Sequence, residues 1–236
     1  MMRCFISAKA DNILLDYLQE LGYDMILIEE SDYVGKEVST HPDMFMTKLG
    51  AEPEAPIFFG NVKELGKKYP KDVRFNAAIC GKYLIGNQKN VSPALKESFT
   101  KALNKWIGED PIFVDVPQGY TKCNLVVVDD GHVITEDEGI AKVLEGIEDI
   151  ECLLVEPGHV QLDGYPRGFL GGASGRICYD RIMFNGDIEK HPDFQKIHDF
   201  ITSCGIGIIS IDDYPLTDIG SIITFESYEG KQADEV

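Results

Sequence analysis

Residues 124–156 read NLVVVDDGHVITEDEGIAKVLEGIEDIECLLVE. Two β-rich runs, NLVVV and HVIT, flank Asp129, Asp130 and Gly131, and an Asp-Gly pair between apolar runs predicts a type I′ hairpin. Asp137 then stands where a helix N-cap is expected, with Ile140, Val143 and Leu144 on one face and Gly146 past the end. ECLLVE follows as a third strand. The unit is strand, strand, helix, strand.

The same order recurs outward from this segment. AAICGKYLIG (77–86) and GRICYDRIMFNG (175–186) share the hairpin outline, and MFMTKLGAEPEAPIFFG (44–60) is a looser version. Helices are predicted over Asp11–Leu21, from Asn61 to a stop at Pro70, from Ser92 and Pro93 to Gly108, and from His191 and Pro192 to Gly205. Third strands are predicted at DMILIEE (24–30), KDVRF (71–75), PIFVDV (111–116) and GIISID (207–212). For the first helix the preceding pair is RCFISA (3–8) with GSIITFES (220–227), joined through space so that the chain ends close a ring. Five units in 236 residues give about 47 residues each, a period of the kind found in propellers and arrays. The expected fold is a single α/β domain over 1–236, a five-bladed α/β propeller with pseudo-fivefold repeats, and residues 229–236, EGKQADEV, form an expected mobile tail.

Charge narrows the partners. Lys and Arg number 22 against 40 Asp and Glu, a net charge of −18, which repels phosphate backbones and anionic lipid. Neither nucleic acid nor membrane is expected. No apolar run approaches the roughly 20 residues of a membrane span and the N-terminus has no signal-type core, so a cytoplasmic address is expected. Of the six cysteines, five sit in or beside apolar stretches and read as buried reduced thiols, while Cys123 lies among Thr121, Lys122 and Asn124.

In a radial repeat the first strand of every unit points the same end toward the axis. These strands read THPDMFM, RFNAAIC, YTKCNLVVV, GGASGRI and PLTDIGSII, which directs His41 and Asp43, Asn76, Lys122 and Cys123, Ser174, and Asp218 toward one place. Solvated strand ends would account for each of them singly. Together they predict a site. Cys123 is its candidate nucleophile, with Lys122 as a cation to lower its pKa. His41 is the candidate acid/base, and Asp43 and Asp218 would orient the imidazole or grip a cationic substrate. The glycines of LGGASG would admit a ligand close to the backbone. No histidine pair has zinc spacing, and neither metal nor cofactor is expected.

QGYTKC (118–123), VVDDGHVIT (127–135), GFLGGASG (168–175), the HPDF helix start and PLTDIGSII (215–223) together resemble the pentein fold of the guanidino-group-modifying enzymes, and more closely an uncharacterised bacterial family of that fold. HPD and NAAICGKYLIGN carry the likeness more weakly over residues 39–87. In the superfamily's characterised enzymes a Cys of the last unit attacks the guanidinium carbon, a His shuttles protons and acidic residues hold the guanidinium. Here the last unit has Asp218 and no Cys, and the thiol lies in the third unit. The resemblance implies thiol-dependent attack on a C–N centre of a small cationic substrate, by a hydrolase or transferase. Cys123, His41 and Asp218 would be catalytic, and Asp43, Asn76, Lys122 and Ser174 substrate-binding. The alternative expectation is a non-catalytic protein of the same fold that binds a small molecule or a partner.

Overall fold

The computed structural model describes residues 1–106 and 108–226, a mixed α/β structure with several small sheets and five helices among those residues. The strands are β1 Met2–Ser7, β2 Asp24–Ile28, β3 Met46–Lys48, β4 Ile57–Phe59, β5 Ala78–Cys80, β6 Tyr83–Gly86, β7 Ile112–Asp115, β8 Leu125–Val127, β9 His132–Thr135, β10 Glu151–Leu154, β11 Ser174–Cys178, β12 Arg181–Phe184, β13 Gly207–Ser210 and β14 Ile223–Glu226. The helices are α1 Asn12–Glu20, α2 Pro93–Trp106, α3 Thr121–Asn124, α4 Glu138–Leu144 and α5 Phe194–Ser203.

Four sheets share one pattern: β14-β1-β2, β5-β6-β7, β8-β9-β10 and β11-β12-β13. In each, the first strand is antiparallel to the second and the second parallel to the third. A parallel neighbour needs a crossover, and α1, α2, α4 and α5 supply it. Local chemistry sets their ends. Asp11 and Asp137 accept from the backbone N–H of Ile13 and Ile140 at 2.9 Å each, and Gly205, at φ 74°, follows the last turn of α5, a conformation that favours glycine. Leu14 and Leu18 of α1, Ile140 and Leu144 of α4, and Ile197 and Ile201 of α5 are all buried.

The fifth sheet pairs only β3 with β4. The helix expected from Asn61 is a single 3-10 turn, Val62–Glu64, after which Leu65 is extended. No residue of that turn is buried, so the apolar face that stabilises a short helix is missing. Nor does KDVRF form a strand. Val73 and Phe75 enter the core as a plug, and the carbonyls of Arg74 and Phe75 are bonded by Ser92 N–H and the Thr47 hydroxyl outside any ladder. The expected type I′ turn is also absent: residues 128–131 take no positive φ, and Asp129 Oδ1 holds the loop by accepting from Gly131 N–H at 2.8 Å.

The first strands touch in succession, β3 to β5, β5 to β8, β8 to β11 and β11 to β14, and Met46 of β3 packs with Ile223 of β14. Among the described residues no helix is long and apolar enough to cross a membrane. The tail expectation for 229–236 lies outside the described residues.

Candidate functional site

The segments just before the first strands build a buried polar cluster. Asp43 sits in a 3-10 turn, Pro42–Met44, ahead of β3, and Asn76 lies two residues before β5. Lys122 and Cys123 occupy α3 rather than a strand, and Asp218 and Ser221 precede β14. Asn76 is the joint. Its Oδ1 accepts from the N–H groups of Lys122 (2.8 Å) and Cys123 (3.2 Å), two of the orphan donors at the start of α3. Its Nδ2 donates to the Asp43 carbonyl (3.3 Å) and to Cys123 Sγ (3.1 Å).

Cys123 Sγ donates in turn to Asp43 Oδ2 at 3.2 Å. Burial, then the charges of Asp43 and Asp218, raise the thiol well above its ordinary pKa. It packs with Val34, Val38 and Met44 and is 2% exposed. Cys123 is therefore buried like Cys4 and Cys80, which are buried as expected, whereas Cys152, Cys178 and Cys204, expected to be buried, are partly exposed. A polar flank in sequence became an interior turn because α3 is capped by Asn76.

Lys122 does not meet the sulfur. Its Nζ donates to Ser221 Oγ (3.0 Å), the Gly171 carbonyl (3.3 Å) and the Leu125 carbonyl (3.5 Å), and Ser221 Oγ donates to Asp43 Oδ2 at 2.9 Å. Burial lowers the Lys122 pKa, opposed by Asp43, Cys123 and Asp218. Burial likewise raises Asp43, opposed chiefly by His41, and Asp43 Oδ1 has no hydrogen-bond partner among the described residues.

His41 and Asp218 form a second pair, Nδ1 to Oδ1 3.7 Å, beyond hydrogen-bond length. Burial holds His41 down at about 4. It also pushes Asp218 up to about 6, against the N–H groups of Gly220 and Phe169, each 3.0 Å from a carboxylate oxygen. Gly172 makes room for this carboxylate: a Cβ there would lie 2.0 Å from Asp218 Oδ1. A Cβ on Gly171 would meet the carbonyls of Leu125, Lys122 and Cys123. The LGGASG glycines thus admit the chain's own atoms rather than a ligand.

The expected residues do not share one cavity. His41 and Asp218 line a cavity of about 270 Å³ with Ser7, Thr40, Lys36 and Glu37. Lys122 and Ser174 line another of about 60 Å³, and Ser174 Oγ donates to the Gly171 carbonyl at 3.2 Å outside the thiol network. Cys123, Asp43 and Asn76 line neither. Ser221 was missed by sequence reasoning, yet it stands two residues before β14 as Asn76 does before β5 and Cys123 before β8. That offset was the signal. The Ser7 to Thr40 hydroxyl contact, 2.7 Å, was missed as well. His191, expected as part of a helix start, is buried, its Nδ1 accepting from Asp193 N–H. Ligand atoms of Asp129, His132 and Cys204 lie within 4.8 Å of one another, a grouping that sequence spacing hides; the imidazole already faces Asp129 Oδ1 at 2.8 Å.

No curated protein matches the chain. A family model described as "Family of unknown function (DUF6873)" matches residues 54–223, more than two thirds of the chain. The matched span holds Asn76, Lys122, Cys123, Ser174, Asp218 and Ser221, while His41 and Asp43 precede it. The chain belongs to the DUF6873 family.

Proposed function

We propose that the five sheets are the blades of an α/β propeller of the pentein kind, and that the protein binds a small cationic, guanidinium-type molecule in the cavity at His41 and Asp218. The repeated sheet pattern, the succession of first-strand contacts and the pairing of β1 with β14 support the ring. The observation that carries the ligand is the pair itself: a buried imidazole whose Nδ1 has no hydrogen-bond partner among the described residues, 3.7 Å from a buried carboxylate, at the wall of a cavity. With His41 held neutral, the acids at this wall, Glu37, Asp163 and Asp218, outnumber its cations Lys9 and Lys36, Lys9 being paired with Glu30 at 2.8 Å, and behind it two buried carboxyls, Asp43 and Asp218, share one buried ammonium, Lys122. Both carboxyls are pushed up by burial, and a cation entering beside Asp218 relieves that penalty. Six free cysteines suit a reducing, cytoplasmic compartment. In this reading Cys123 is a structural thiol.

Calorimetric titration with alkylguanidines, alkylamines and neutral ureas tests it. The cations bind, and Asp218→Asn weakens them at least tenfold while leaving the ureas unchanged. Equal loss for charged and neutral compounds, or no binding by wild type, overturns the reading.

A catalytic reading has one observation in its favour: the contact with Asp43 gives the Cys123 thiol a proton acceptor. There, after α3 opens, the Cys123 thiol passes its proton to Asp43 and adds to the guanidinium carbon, a C–N bond breaks as His41 or Asp218 protonates the departing amine, water then displaces the thiol from the covalent intermediate, and Asn76, Lys122 and Ser174 hold the substrate. Product release from a guanidine, abolished in Cys123→Ala, would establish it over binding alone.

A further inference from the structure

Where the five first strands meet, the smaller cavity of about 60 Å³ lies apart from His41 and Cys123. Its wall is mainly aliphatic, with Ile79, Val127, Ile182 and Ile223. Three cations nevertheless line it in a chain of net charge −18: Lys48, Lys122 and Arg176. A positive cluster in so acidic a protein is a local feature, since the overall field drives anions away.

Two of the three cations are already engaged. Lys122 Nζ has three acceptors in Ser221, Gly171 and Leu125. Arg176 donates to the carbonyls of Cys178, Val128 and Tyr179 and lies 3.7 Å from Glu52. The hydroxyls of Thr47 and Ser174 donate to the carbonyls of Phe75 and Gly171. Lys48 differs. Its Nζ is sealed from solvent and has no hydrogen-bond partner among the described residues. Burial and then the Arg176 guanidinium hold it down at about 8, against Glu52 and Glu54. A buried ammonium with three unused donors is costly unless an acceptor reaches it.

We propose that this cavity binds a short-chain aliphatic monocarboxylate, its carboxylate on the Lys48 ammonium once that side chain turns toward the cavity it lines, and its alkyl end on the isoleucine and valine wall. Size sets the chain length. About 60 Å³ is several times the roughly 10–15 Å³ that a single water needs, room for the few heavy atoms of acetate or propionate and not for a long chain. A phosphate or a chloride would satisfy Lys48 and leave the aliphatic wall without a partner. The charge-assisted bond supplies orientation, and the wall supplies preference for a carboxylate over an inorganic anion.

The test is thermal melting of the full chain in sodium propionate, acetate, phosphate or chloride at constant ionic strength, with propionate–protein contacts read by transferred NMR enhancements. Propionate raises the melting temperature saturably above chloride, and its methyl protons contact isoleucine methyls. Lys48→Met weakens binding at least tenfold, whereas Lys89→Met, at an exposed lysine, keeps it. Ala51→Leu, which fills the cavity and retains the ammonium, also abolishes the response. The proposal is overturned by equal responses to propionate, phosphate and chloride. It is also overturned by an unchanged response in Lys48→Met or Ala51→Leu, or by no response and no NMR contact in the wild-type protein, a result that needs no variant to fold.

Discussion

Cys123 Sγ donates a hydrogen bond to Asp43 Oδ2 across 3.2 Å, joining the helical turn ahead of β8 to the turn ahead of β3, 80 residues apart. A thiol in that position is a donor, held protonated by burial and by the carboxylate it bonds. Alkylation rate should report this directly. At pH 8, iodoacetamide should label Cys178 and Cys204, both partly exposed, well before Cys123, as read by peptide mass mapping. Labelling of Cys123 first would defeat the structural role given to it here.

Asp43 is the hub of the cluster, facing Cys123 and Ser221 with one oxygen. Asp43→Ala leaves Lys122 with a buried charge and no nearby carboxylate partner but Asp218. Breaking a buried ionic network from one side typically costs about 3 to 5 kcal/mol, so the urea midpoint of this variant should fall steeply. Ser221→Ala, which removes one hydroxyl from the same chain of bonds, should cost about 1 to 2 kcal/mol.

His41 and Asp218 have opposite linkage to pH. The folded pKa of Asp218 lies above its unfolded value, at about 6, so its penalty on stability is in place above pH 6 and is relieved as pH falls from 6 toward 4. The folded pKa of His41 lies below its unfolded value, at about 4, so stability is lost as pH falls from about 6.5 toward 4. Each shift corresponds to about 3 kcal/mol, and in the wild type they largely offset. Asp218→Asn should therefore be more acid-labile than wild type between pH 6.5 and 4, and His41→Asn less so, measured by urea denaturation across that range. Parallel pH profiles for the three proteins would contradict the assignment.

Gly172 packs on the Asp218 carboxylate. Gly172→Ala should displace that carboxylate and reduce cation binding at the His41 cavity by at least tenfold, while Gly158→Ala, whose added Cβ would meet nothing within 4 Å although its φ is 101°, should lower stability without changing binding. Titration calorimetry on both variants separates the two effects.

The pairing of β14 with β1 joins residues 223–226 to residues 2–5. A chain ending at Pro215 loses this strand, together with Asp218, Ser221 and the buried Ile219, Ile222 and Ile223. It also bares the edge of β1 to other chains. Such a chain should be found in the insoluble fraction, and soluble expression with an unchanged melting temperature would show that the pairing is dispensable.

Elements that rest on local chemistry were legible in the residues alone. Hairpins at 77–86 and 175–186, the caps at Asp11 and Asp137, and the third strands at 24–28, 112–115, 151–154 and 207–210 follow from alternation, capping oxygens and helix-ending glycines. The terminal strand pair was legible because every other unit had the same order and only the chain ends were left to complete the first. The remainder depended on packing between units. Asn61–Tyr69 carries helical spacing but has no surface to bury it against, and Val73 and Phe75 left their ladder to fill the core. Cys123 looked accessible from its polar neighbours, yet Asn76, from another unit, caps its turn and draws it inside. Which of the converging residues face a cavity depends on how the units pack, and neighbours along the chain carry no record of atoms contributed from 47 or 80 residues away.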